Sequence, residues 1–132
     1  MTYTFLTDTY DSERLKTLNV WSMFKDDELV VRPHPNLQRD RNGLEHMVHQ
    51  CLSEDRWFRT MFGIEVNASL LPAEESRLEF IRHYANVSGQ RLLVLLEKPQ
   101  AWWEEEVAFF DTIHPRTWIM VRRIAHPSHH RG

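Results

Sequence analysis

Apolar positions recur at helical spacing in four long stretches of the chain. Over residues 8–24, Leu15, Leu18, Trp21 and Phe24 lie three apart, and Asp11 and Glu13 sit near the start, where carboxylates suit the positive end of a helix dipole. A second stripe opens at Asn42-Gly43-Leu44-Glu45, a capping-box pattern in which Asn42 caps and Glu45 reaches back. Leu44, Val48, Cys51 (or Met47), Leu52, Phe58 and Met61 continue it, and Gly63 marks its end. A third stripe is predicted from Pro72, a favourable first helical position, with Glu74 and Glu75 in the first turn. Leu78, Ile81, Tyr84, Val87 or Ser88, Leu92 and Leu95 or Leu96 form its face, Gly89 suggests a kink within it, and Pro99 stops it. The fourth, from Arg116 to Ala125 or beyond, puts Trp118, Val121 or Met120, Ile124 and Ala125 inward and Arg122 and Arg123 outward.

Between these stretches the pattern is weaker. Residues 25–42, with Pro33, Pro35 and Asn36, read as a long exposed loop. Residues 100–115 have no clean period and read as an irregular connection or a short extended piece. Four amphipathic helices without a convincing strand pair predict an all-α four-helix bundle, one domain over residues 1–132.

Composition narrows the class. The chain has 132 residues, 42% hydrophobic and 27% charged, with a net charge of −3, enough for one self-supporting core and no basic stripe for nucleic acid. Cys51 is the only cysteine, which excludes a disulfide scaffold. The start lacks a signal-peptide pattern, and the longest apolar run, residues 92–96, is far short of a membrane span, so a cytoplasmic protein is expected.

The eight histidines carry the candidate chemistry. His126 and His130 are four apart, the spacing at which two imidazoles on one helix face grip one ion. His46 or His49 from a facing helix completes a set of three, and three nitrogens with an open position are the catalytic pattern for zinc-like ions. Cys51 reads as a buried apolar residue, His129 as exposed, and Glu54 as a structural partner of an arginine. His46 reads first as surface or packing in the N-terminal turn, and only second as an outer donor or replacement ligand. Trp102-Trp103-Glu104-Glu105-Glu106 reads as one core tryptophan beside a solvated acid run, with Glu105 or Glu106 as an acid/base candidate if it lines a cleft mouth. Arg122, Arg123 and Arg131 are candidates to receive an anionic substrate group.

Two motifs carry a resemblance. His49-Gln50-Cys51-Leu52-Ser53-Glu54-Asp55-Arg56-Trp57 has a His followed by an acid five on and a Trp eight on, and His126-Pro127-Ser128-His129-His130-Arg131-Gly132 fits H-x-x-x-H-R-G. Together they resemble the second and last helices of the DinB-like (damage-inducible) superfamily, over essentially the whole chain. The resemblance implies an up-down-down-up bundle, often a homodimer, holding zinc or nickel with His49, His126 and His130. It also implies hydrolysis, or transfer of a low-molecular-weight thiol to a small electrophile. The competing expectation is a non-catalytic bundle whose histidines are remnants and which works through dimerisation or partner binding. Compared with the family pattern the last helix is cut short at Gly132, and Pro127 is expected to break or kink it.

Overall fold

The computed structural model describes residues 3–25 and 42–131, with side chains through residue 125. Most of the loop expected over residues 25–42 lies outside the described residues. Four long helices form a bundle: α1 (Thr4–Met23), α2 (Gly43–Trp57), α3 (Arg77–Leu96) and α5 (Arg116–Arg131). A short α4 (Gln100–Glu104) and a hairpin of β1 (Glu106–Phe109) and β2 (Thr112–Pro115) join α3 to α5.

Side-chain contacts set the directions of the helices. Arg14 bonds Ser88 while Arg77 bonds Ser22, so α1 and α3 are antiparallel. Gln50 meets Tyr84 and Asp55 meets Arg91, so α2 and α3 are parallel. Arg116 bonds the Met61 carbonyl and Arg123 bonds Ser53, so α5 runs antiparallel to α2. The result is the expected up-down-down-up order.

Local chemistry explains most helix ends. The Asn42 side chain accepts from the Glu45 amide at 2.8 Å, and the Glu45 carboxylate accepts from the Asn42 amide at 3.1 Å. This reciprocal cap stands as read from the sequence. After Trp57, residues Phe58–Phe62 form a π-helical turn that ends at Gly63, whose φ of +65° suits a residue without Cβ.

Several elements depart from the sequence expectation. α1 starts at Thr4, so Asp11 and Glu13 lie within it rather than at its dipole end, and Leu15 is exposed while Leu6, Tyr10, Thr17 and Trp21 are buried. α3 starts at Arg77, not at Pro72, because the Ser76 hydroxyl accepts the Glu79 amide at 3.2 Å and provides the cap that Pro72 has no means to supply. The helix ends at Leu96, before Pro99, and runs unbroken through Gly89, where a Cβ would meet Arg14 Nη2 at 3.4 Å. A Cβ there would make only an ordinary contact with the end of a flexible side chain, and Gly89 does not interrupt the helix.

The stretch over residues 100–115 holds a strand pair that its irregular pattern did not announce. Ala108 pairs with Ile113 and Val107 with His114, and the turn places Phe110 at φ +55°. α5 continues helically through Pro127 to Arg131 instead of breaking. Proline's fixed φ near −65° is itself helical, so the helix continues although the bond to the Arg123 carbonyl is forgone. No helix among the described residues is long and apolar enough to cross a membrane.

Two apolar clusters make up the core. One gathers Leu6, Tyr10, Phe58, Phe62, Leu95, Trp103, Ile119 and Met120 with neighbouring side chains, and the other gathers Trp21, Met47, Cys51, Phe80, Tyr84 and Val87. Tyr10 from the first and Tyr84 from the second both bond one carboxylate, so the clusters meet at a buried polar layer.

Candidate functional site

That polar layer centres on Glu54, 1% exposed on the inner face of α2. Its Oε1 accepts from the Tyr84 hydroxyl at 3.0 Å, and its Oε2 accepts from Tyr10 at 3.2 Å and from Arg91 Nη1 at 3.0 Å. Arg91 also donates to Asp55 at 3.3 Å and lies over the Phe58 ring. Glu54 is therefore the structural partner of an arginine, as the sequence suggested. Cys51 is buried beside it, and burial pushes its thiol up to about 12, which suits a packing residue and not a nucleophile.

Arg123 is the main departure. It was expected outward, yet it is 1% exposed; Arg122 is exposed as read. Arg123 follows Arg116, Ile119 and Met120 at helical spacing on the inner face of α5. Its Nη1 donates to Ser53 Oγ at 2.8 Å and its guanidinium lies 5.2 Å from the Trp57 ring centre, while Nε and Nη2 have no acceptor among the described residues. Desolvation depresses the Arg123 guanidinium below its ordinary value. Arg91 is also desolvated, but Glu54, Tyr10, Tyr84 and Asp55 outweigh that and raise it. Trp118, expected inward, is instead partly exposed and stacks on His114 at 3.6 Å.

The two buried phenols make the layer sensitive to alkali. Burial first, then the Glu54 charge, holds Tyr10 and Tyr84 well above the ordinary 10.0. The unfolded chain ionises near 10.0, so their contribution to stability is complete below that pH and is lost as pH rises past it. Phenolate absorbance at 295 nm should show Tyr10 and Tyr84 ionising only as the helical circular dichroism collapses. Ionisation of all three tyrosines in a still-folded protein would contradict this.

The sequence-predicted ligands lie along the α2–α5 seam. His46, His49, Ser53 and Trp57 occupy successive turns of the α2 face that meets Arg123. His49 is half-buried and borders an open groove of about 350 Å³ with Leu44, Glu45, Val48 and Leu52. The antiparallel course of α5 along α2, seen in the Arg116–Met61 and Arg123–Ser53 bonds, carries the backbone of α5 on from Arg123 toward the His49 end of α2. His126 and then His130, one turn on, follow Arg123 along α5, and positions 123, 126 and 130 share one helical face. The side chains of His126, His129, His130 and Arg131 lie outside those described. Among the described residues alone, no three of His, Cys, Asp and Glu form a metal-holding group.

The acid run lies elsewhere. Glu105 pairs with Arg116, whose backbone partner Met61 is twelve residues from His49, roughly 18 Å along a helix at 1.5 Å per residue. Trp103, 1% exposed, anchors this end, so the stretch is a core tryptophan with solvated acids and does not line a cleft mouth at the histidines.

No protein-family model and no curated protein match the chain. Among solved structures it is similar to the crystal structure of a DinB-like protein from Bacillus cereus ATCC 10987. The TM-score is 0.81 at 17% identity, over 96% of this chain and 84% of that one. With this likeness and the helix directions above, the chain has the DinB-like fold.

Proposed function

We propose that the chain holds a divalent ion, zinc or nickel, with His49, His126 and His130, and uses it in hydrolysis or thiol transfer on a small molecule. The observation that supports this reading is the seam of α2 and α5: α5 runs antiparallel to α2 with Arg123 bonded to Ser53, one turn after His49, and His126 and His130 follow Arg123 on the same helical face. The donor set suits the ion, since three neutral imidazoles bind borderline metals and leave a position for a reactant. A bound ion of this kind supplies Lewis acidity, which makes water or a thiol nucleophilic near neutral pH.

The chain's own residues supply the surroundings. Leu44, Val48 and Leu52 border the open groove beside His49 and offer apolar surface to a small electrophile. Glu45 is committed to the α2 cap, so it is a poor candidate for general base. The layer around Glu54 is closed by Tyr10, Tyr84 and Arg91 and keeps the helices rigid beneath the groove.

Single substitutions test the ligand set. His49→Ala, His126→Ala and His130→Ala should each lower zinc affinity at least about a hundredfold in a competition titration, with helical content retained. Undiminished affinity in all three would sink the assignment.

A further inference from the structure

The Arg123–Ser53 bond lies one turn from the proposed ligand level on both helices. Ser53 is four residues after His49, and Arg123 is three before His126. The guanidinium is buried, and Ser53 Oγ, at 2.8 Å, is its hydrogen-bond acceptor among the described residues; the Trp57 ring holds its face. Glu54, the nearby buried carboxylate, already accepts from Arg91, Tyr10 and Tyr84. A buried cation with so few partners keeps its place only through the ones it has.

We propose that Ser53 and Arg123 are positioning residues that set the α2–α5 register for metal binding. This inference rests on the three-histidine reading above. His49 stands on one helix and the other two ligands on its neighbour, so the ligand geometry depends on how the two helices slide and turn against each other. Metal sites tolerate displacements of only about half an ångström. The Arg123–Ser53 bond resists both motions one turn away, while Arg116 clamps the far end of the seam at Met61. Loss of the Ser53 hydroxyl leaves the far clamp and most of the core intact, so its effect should fall on the ion more than on the fold.

The test is a zinc competition titration together with the visible spectrum of the cobalt-substituted protein. It compares the parent, Ser53→Ala, Ser53→Thr and Ser88→Ala. Ser53→Ala should bind zinc about tenfold more weakly and change the cobalt absorption bands, in line with the losses seen when groups that orient metal ligands are removed. Ser53→Thr, which keeps a hydroxyl, should restore both. Ser88→Ala removes a 2.8 Å bond from Arg14 on the α1–α3 side; it should lower stability yet leave zinc affinity and the cobalt spectrum unchanged. Equal affinity in Ser53→Ala and the parent, or an equal loss in Ser88→Ala, would overturn the positioning role. A parent that takes up no zinc would remove the three-histidine reading and this inference with it.

Discussion

Glu54→Gln should cost the protein about 3–5 kcal/mol, the penalty for leaving a buried charge without its partner. The substitution keeps the side chain's size and removes the carboxylate that accepts from Arg91, Tyr10 and Tyr84. Arg91, 2% exposed, would keep only its bond to Asp55 among the described acids it pairs with, and Arg123, 1% exposed, would lose the favourable charge of Glu54. For a domain of this length the loss corresponds to a fall in Tm of roughly 10–20 °C. Denaturation in guanidinium chloride measures it. Glu54→Gln combined with Arg91→Met should recover a large part of the loss, because it removes the buried guanidinium that the single change leaves without its carboxylate. A double variant no better than the single one would show that the carboxylate acts chiefly through its tyrosine bonds and its charge near Arg123.

The second large effect is expected at the other end of the bundle. Trp103→Ala should destabilise by about 3–5 kcal/mol, the range for emptying a large aromatic site in a core. Trp103 is 1% exposed on a five-residue helix and packs edge-on against Trp102 at 4.9 Å and beside Tyr3 at 6.2 Å. α4 has no side-chain cap, so this packing, with Arg116 bonding the Trp102 carbonyl, is what holds it. Trp102→Ala, half-buried next to it, should cost markedly less. Equal losses from the two would mean that the tryptophans act as one unit.

How far the sequence specified these features can be followed residue by residue. The Asn42–Glu45 cap and the Gly63 stop were legible because local chemistry alone decides them. The start of α3 carried a signal of the same kind, Ser76-Arg77-Leu78-Glu79, but the helix-favouring Pro72 and the two glutamates after it drew the boundary five residues early. The hairpin at 106–115 was not legible: its strands are four residues long and half exposed, too short for alternation to stand out.

The polar layer was hidden for another reason. Phe80, Tyr84, Val87, Arg91 and Leu95 repeat at helical spacing, as do Met47, Cys51, Glu54 and Phe58. Glu54 reads as the partner of an arginine, but the sequence does not say which one, and an arginine treated as outward by default breaks the α3 stripe at Arg91, the residue that bonds across the core. A charged residue at a stripe position on two helices is a sign of a buried pair. Arg123, read as solvent-facing, is the same case on α5. The histidine motifs, by contrast, were visible at once, since four-residue spacing and a flanking Trp need no tertiary information. That α2 and α5, which carry them, are antiparallel neighbours came only with the fold.

The central claim is that His49, His126 and His130 hold a metal ion, and elemental analysis of protein purified without a metal-affinity column tests it most directly. About one zinc or nickel ion per chain, absent from the His126→Ala variant, is the predicted result. A folded protein that carries no metal, even after incubation with zinc, would contradict it.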